Sequence, residues 1–222
     1  MKLLPEDQEK VAAAIKRAEA GSDGEINAVC AAASDSYNDV VLHWSLLLAL
    51  LPLAIWAAWP ALLVWAASLV DPWSPEPSLR LLLTIVLLKV SLAFLFGRWV
   101  FGLSRMRMLL TPAATKHRRV RRRAILLFRA GTEKRTATRT GVLLYLSLAE
   151  RRAEIVADET IHARVAPEEW GKAMAALIEA VREGRPGDGI AAAIDRIGAV
   201  LAEHFPFTGT DPNEMPDRLI EL

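Results

Sequence analysis

The chain has 222 residues and a net charge of +1, which leaves room for one or two modules and excludes a strongly basic or strongly acidic protein. Cys30 is the only cysteine, so an intrachain disulfide is excluded and the redox compartment is left open. The first ten residues, MKLLPEDQEK, lack the apolar core of a signal peptide. Membrane insertion is therefore expected to begin at an internal segment.

The N-terminal part predicts one helix followed by one strand. Residues 6–20 carry apolar side chains at helical spacing, namely Val11, Ala14, Ile15 and Ala18. Residues 21–24 form a turn, and residues 25–33 (EINAVCAAA) are typical of a short buried strand. The polar loop 34–39 then leads into the longest apolar part of the chain.

Two apolar runs predict membrane-spanning helices. Val40–Val70 contains no Asp, Glu, Lys or Arg, and Leu81–Gly97 is interrupted only by Lys89. The first run would be about 46 Å long as one straight helix, which exceeds a hydrocarbon core of about 30 Å. It is therefore expected to tilt, to kink at Pro52 or Pro60, or to begin in the membrane interface.

The charges around these runs predict their orientation. Residues 71–80 carry one Arg against two acidic residues, whereas residues 98–129 contain ten Lys or Arg and no acidic residue. By the positive-inside rule, both termini are expected in the cytoplasm and the loop 71–80 on the outer side. Lys89 has no acidic partner in either run and marks a candidate site within the membrane. The alternatives are that it faces a partner protein or that its side chain snorkels.

Beyond the apolar runs the pattern alternates again between helices and strands. Residues 112–130 are predicted to form a helix that is basic first and apolar later, and residues 142–148 and 152–157 form a hairpin of two strands. Helices follow from Pro167 and from Pro186. The tail, residues 206–222, is rich in Pro and Gly, but its apolar end is expected to dock onto the domain.

This order of helix, strand, helix, strand, strand, helix, helix resembles the TPM domain family. The matching segments are EKVAAAIKRAEAGSDGEINAV, RAILLFRAGTEKRTATRTGVLLYLSLAERRAEIVADETI and EEWGKAMAALIEAVREGRPGDGIAAAIDRIGAVLAEHFP. The resemblance is to a bacterial branch with a membrane hairpin after the first strand. It implies an α/β fold with a small mixed sheet flanked by helices and interrupted by a two-helix transmembrane hairpin.

The domain organisation follows from this resemblance. Residues 1–39 and 104–205 are expected to form the two parts of one TPM-like domain. Residues 40–103 would be the hairpin, with spans at about 41–70 and 81–98, and residues 206–222 an extended tail. If the two parts share one sheet, they must lie on the same side of the membrane. Val40–Val70 would then cross an odd number of times, most simply once.

Four residues are candidate ligands of a divalent metal such as Ca or Mg. Asp158, Glu159 and His162 are clustered in one predicted loop, and Asp35 follows the first strand. They would converge if the carboxyl ends of the strands meet, because ligands bind beyond those ends in open α/β sheets. The alternative is a solvated loop with ordinary surface charges. The resemblance also implies a candidate activity, since acid-phosphatase activity and divalent-metal binding have been attributed to some family members. Many members have a Gly-rich turn where this chain has residues 157–162.

The basic segment predicts contact with anionic lipid, since each charge near a membrane surface contributes about 1 kcal/mol. Its members are Lys116, Arg118, Arg119, Arg121, Arg122 and Arg123. The alternative is a topology determinant without a ligand. A nucleic-acid partner is not expected, because no aromatic residues are interleaved with the basic ones.

Two functions stay open. The first is an accessory, interaction or assembly factor for a membrane protein complex in a bacterial inner membrane, with no catalytic residue. The second is a membrane-tethered, metal-dependent hydrolase of the phosphatase type that works through Asp35, Asp158 and Glu159.

Overall fold

Strands from both sides of the apolar hairpin form one sheet in the computed structural model, which describes residues 4–74, 76–132, 140–208 and 218–222. In chain order the elements are α1 (Pro5–Glu19), β1 (Glu25–Ala31), α2 (Asn38–Ala58), α3 (Pro60–Ser68), α4 (Leu79–Gly102), α5 (Ser104–Leu110), α6 (Ala113–Leu127), a π-helical turn (Phe128–Thr132), β2 (Gly141–Ser147), β3 (Arg152–Ala157), α7 (Glu159–His162), α8 (Pro167–Arg182), α9 (Pro186–His204) and β4 (Leu219–Glu221). The predicted α/β fold class is confirmed.

The chain divides into two units. One contains Met1–Asp35 and Ala113–Leu222, and the other contains Ser36–Pro112. The first unit therefore holds the sheet and is interrupted in sequence by the second.

The sheet has four strands in the order β3-β2-β1-β4. β1 and β2 are parallel and in register from Glu25 opposite Gly141 to Ala31 opposite Ser147. β3 returns antiparallel to β2, which makes the sheet mixed. All seven residues of β1 and of β2 are buried, as expected for central strands with both faces covered.

Helices cover both faces of this sheet. On one face α1, α8 and α9 supply the larger core, in which Ile15, Leu177 and Ile194 pack with Ile26 and Leu144 of the strands. On the other face α6 and the π-helical turn supply a smaller core. Because strand side chains alternate between two covered faces, β1 is apolar from Ala28 to Ala31 and β2 from Val142 to Leu146.

The end of the chain completes the sheet. Leu219, Ile220 and Glu221 form β4 and pair in parallel with Ala28, Val29 and Cys30. The apolar end of the tail, expected to dock, thus does so as a strand; residues 209–217 lie outside the described part.

The second unit is built from the apolar runs. α2 ends at Ala58, and Pro60 begins the separate short helix α3, so the first run is two helices rather than one. This break shortens the long helix to about 31 Å, close to the thickness of a hydrocarbon core. α2 and α4 are each long and apolar enough to cross a membrane, and most of their side chains are exposed.

Cys30 tests the docking of β4. Its thiol is 3% exposed, and burial, followed by the nearby Glu221 carboxylate, raises its pKa to about 12. Since maleimides react with the thiolate, the intact chain is expected to label very slowly at pH 8. Deleting residues 218–222 should raise the labelling rate about tenfold or more, measured by mass spectrometry.

The substitution Arg218→Ala is the control, because Arg218 is exposed and precedes β4. Equal labelling rates for the intact and the deleted chain would contradict the docking. The raised pKa also gives a pH dependence: the contribution of the thiol to stability is present below about pH 9 and is lost as the pH rises towards 12.

Candidate functional site

A buried carboxylate ties the carboxyl ends of β1 and β2 together. Glu150, in the turn between β2 and β3, is 7% exposed. Its Oε1 accepts a hydrogen bond from the backbone N–H of Ser34 at 2.9 Å, and its Oε2 accepts one from the Ser147 hydroxyl at 2.5 Å. Hydrogen bonds to a carboxylate are among the stronger ones in proteins, so this turn fixes where the chain leaves β1.

The phenol of Tyr145 belongs to the same group of side chains. The hydroxyls of Tyr145 and Ser34 are 3.0 Å apart and share a hydrogen bond. Burial raises the pKa of the Tyr145 hydroxyl, and hydrogen bonds with Ser34 and Ser147 partly offset this effect. The phenol therefore stays protonated at neutral pH and acts as a structural hydrogen-bonding group.

An ion pair joins the next residue of this loop to the basic helix. Arg119 of α6 lies 3.0 Å from a carboxylate oxygen of Asp35, and its side chain is only 21% exposed. The loop after β1 is thus held by Glu150 and by Arg119. We call Ser34, Asp35, Arg119, Tyr145, Ser147 and Glu150 the edge cluster.

The predicted lipid-contacting residues divide into two groups on α6. Arg119 pairs with Asp35, and Lys116 is partly buried. Arg118 and Arg122 are exposed and lie one turn apart, on the side of α6 that faces away from the buried Val120 and Ala124. Arg121 and Arg123 are exposed as well. Contact with anionic lipid stays a prediction for the exposed members.

A second acidic residue, Glu154 on β3, contacts the same helix, α6. His117 Nδ1 of α6 lies 3.2 Å from Glu154 Oε1 of β3. Burial raises the pKa of the Glu154 carboxyl, and the nearby His117, Arg121 and Arg152 partly offset this rise. Some of the basic side chains of α6 therefore interact with acidic residues of the same domain.

The predicted metal ligands do not converge. Asp35 follows the carboxyl end of β1, whereas Asp158 lies beside Gly141 at the amino end of β2. The six-residue offset between Gly141 and Ser147 separates the two positions by about 20 Å along the strand. The reason is the direction of β3. Because β3 is antiparallel to β2, its carboxyl end lies beside the amino ends of β1 and β2 and not beside their carboxyl ends.

Asp158 has a structural role where it lies. Its Oδ2 accepts a hydrogen bond from the Gly141 N–H at 2.9 Å, and its carbonyl accepts the N–H groups of Ile161 and His162 at the start of α7. Glu159 and His162 are exposed on this single helical turn, where a loop was expected. Within the described residues, no group of three or more His, Cys, Asp or Glu side chains is placed to hold a metal ion.

Lys89 lies in the second unit, on the wall of a cavity of about 350 Å³ between α2 and α4. The other lining residues are apolar or aromatic, and they include Pro52, Trp56 and Phe96. Sequence reasoning predicted an isolated lysine here but not the cavity, because the cavity depends on how the two helices pair.

Sequence reasoning named Asp35 as a metal ligand and Arg119 as a lipid contact, but it did not predict that they belong to the edge cluster. The Ser147 hydroxyl bonds to the turn after β2 through Glu150. The signal in the sequence was Glu150. An acidic residue shortly after an apolar strand is close enough to bond to the chain that leaves a neighbouring parallel strand, as Glu150 does with Ser34.

Comparison with known proteins agrees with this fold. The family model of the TPM domain matches residues 104–200, from α5 into α9, and confirms the resemblance; the matched range does not include the quoted N-terminal segment. The solved NMR structure of the BA42 protein from Bizionia argentinensis is similar in fold, with 16% sequence identity and a TM-score of 0.57 over 100% of this chain and 97% of that one. None of the curated proteins compared with the chain matches it.

The hydrogen bonds of Glu150 give a stability prediction. Glu150→Ala leaves the half-buried Ser34 N–H and the buried Ser147 hydroxyl without this acceptor, so the free energy of unfolding should fall by about 2–4 kcal/mol. Glu150→Gln retains one acceptor and should lose about half as much. The measurement is pulse proteolysis of the full chain in urea and detergent.

Glu203→Ala on α9 is the matched control, because Glu203 is exposed and its replacement should change the unfolding free energy by less than about 0.5 kcal/mol. Equal effects of Glu150→Ala and Glu203→Ala would show that the edge cluster does not hold the loop after β1.

Proposed function

We propose, from the TPM domain matched at residues 104–200, that this protein is a membrane-anchored accessory or assembly factor for a membrane protein complex. The observation that carries the proposal is the parallel pairing of β1 with β2, which precede and follow the two long apolar helices. In such a domain, the segments that reach the membrane are an insertion within the fold.

The pairing restricts the topology. Strands of one sheet must lie on the same side of a membrane, so the residues between β1 and β2 must cross it an even number of times. α2 and α4 supply two crossings of suitable length. The basic residues after α4 then favour the cytoplasm for the sheet and the outer side for residues 71–78.

The exposed surface of the second unit supports a partner within the membrane. Neither long helix is covered along most of its length, and large side chains such as Leu87, Leu95 and Trp99 are each more than 60% exposed. Lipid tails alone can surround such apolar side chains, but in an assembly factor they would also pack against helices of the complex.

The exposed cations of α6 favour anionic lipid as a further contact. Arg118 and Arg122 are exposed, and only two residues separate the start of α6 from Leu110, where the last helix of the second unit ends. A basic helix this close in sequence to a membrane segment is typical of anionic-lipid binding.

Labelling of single cysteines tests the topology. In a Cys30→Ser background, Ser74→Cys should react with an impermeant maleimide in right-side-out membrane vesicles, and Ala130→Cys only in inverted ones. Reaction of both on the same side, or release of the chain by an alkaline wash, would contradict the membrane anchor and its orientation.

Purification in mild detergent from native membranes tests the role. The chain is expected to elute as part of a larger assembly and to show no Mg²⁺- or Ca²⁺-dependent hydrolysis of a phosphomonoester beyond that of an Asp158→Asn, Glu159→Gln variant. A lone monomer with metal-dependent activity that this variant lacks would favour the hydrolase instead.

The same preparations report on lipid. The variant Arg118→Gln with Arg122→Gln should retain less anionic lipid, measured by mass spectrometry, than Arg182→Gln with Arg196→Gln, which removes two exposed charges from α8 and α9. If both variants retain the same amount of anionic lipid, α6 does not contact the lipid through Arg118 and Arg122.

A further inference from the structure

Lys89 lies near the middle of α4, the longest helix, and lines the cavity between α2 and α4, which we call the groove. It lies ten residues after the start of α4, about 15 Å along the axis, with about 20 Å remaining to the end of the helix at Gly102. Either distance exceeds the reach of an extended lysine side chain. If α4 spans a bilayer, snorkelling alone does not bring the ammonium group to the headgroups.

The groove follows from uneven packing of α2 against α4. At Gly97 the helices are so close that an added Cβ would lie 3.0 Å from the Ser45 Cα. Lys89 precedes Gly97 by about 12 Å along α4, and there Pro52 and Trp56 of α2 line the cavity instead. Small residues permit the close approach at one end, and bulky ones keep the helices apart at the other.

The groove contains a cation without an anion. The acidic residues of the second unit are Asp39, Asp71 and Glu76, which lie at the ends of the apolar runs. Among the residues that the structure describes, none forms an ion pair with Lys89. A charge at mid-membrane depth requires a partner, so the missing carboxylate is expected from another molecule.

A second feature of the groove favours a polar partner. Pro52 lacks the N–H that would bond the carbonyl of Leu48, and Leu48 also lines the cavity. Neighbouring helices commonly satisfy such backbone groups within membranes.

We propose that this groove binds a transmembrane helix of a partner protein that carries an Asp or Glu near the middle of the bilayer. The inference rests on the proposed function, since it requires that α2 and α4 lie in a membrane, and it identifies the class of partner. Two other occupants fit less well. The headgroups of anionic lipids lie at the interface, away from Lys89, and a second copy of this chain would bring another lysine to the same depth.

A defined peptide tests the proposal in lipid vesicles that contain the full chain. The probe is a transmembrane peptide of Leu and Ala with one central Glu, and the comparison peptide has Leu at that position. Energy transfer between a dye on the peptide and a dye on Ser74→Cys, in a Cys30→Ser background, reports binding. The Glu peptide is expected to bind about tenfold more tightly than the Leu peptide.

Two variants locate the contact. Lys89→Met should abolish the preference for the Glu peptide. The double substitution Leu88→Lys with Lys89→Leu keeps the composition and moves the cation by one residue, which turns it about 100° around the helix and out of the groove. It should also lose the preference.

The outcomes separate this inference from the proposed function. If the chain resists an alkaline wash but binds both peptides equally, the groove does not recognise a carboxylate and the inference is wrong. Equal preference in the wild-type chain and the Leu88→Lys, Lys89→Leu variant would likewise exclude the groove. Extraction of the chain by the wash would instead overturn the membrane anchor. Energy transfer between two labelled copies that persists in Lys89→Met would point to self-association and contradict the proposal.

Discussion

The parallel pairing of β1 with β2 is the constraint on which the rest of the fold depends. Seven residue pairs, from Glu25–Gly141 to Ala31–Ser147, join strands that 109 residues separate in the sequence. Such a long connection carries a closure entropy that grows only slowly with length. Burial of both strands on both faces, together with the hydrogen bonds of Glu150, stabilises the pairing against this cost.

This arrangement makes the apolar hairpin an insertion rather than an appendage. The apolar helices lie in sequence between the two central strands, so the sheet forms only when the chain on both sides of the hairpin comes together. The loop after β1 leads from the sheet to α2, and within it Ser34 bonds to Glu150 and Asp35 pairs with Arg119.

Much of the fold could be predicted because its elements have clear apolar patterns. The predicted helices at residues 6–20 and from Pro167 and Pro186, and the strands at residues 25–33 and 142–148, all form. The break at Pro60 was one of several alternatives, because a proline kinks or ends a helix and only its surroundings decide which. β4 has three residues, too few for a periodic signal, and its pairing depends on the exposed edge of β1.

The site was less predictable because it depends on strand direction and on helix pairing. Asp35 and Asp158 were expected to converge, but the antiparallel return of β3 places them at opposite ends of the sheet. Glu150 gave no periodic signal, and its importance arises from Ser34, which is 116 residues away in sequence. Lys89 was recognisable as an isolated charge, whereas its groove depends on Gly97 and Pro52.

An engineered disulfide between the central strands tests this account most directly. In a Cys30→Ser background, Ala28→Cys and Leu144→Cys are register partners, and their strand spacing of about 4.8 Å suits a disulfide. After oxidation in membranes and cleavage at a protease site inserted in residues 71–78, the chain should run as one band until it is reduced. Ala28→Cys with Leu146→Cys, two residues out of register, is the control and should give two bands. Two bands from the in-register pair would contradict a sheet formed across the hairpin.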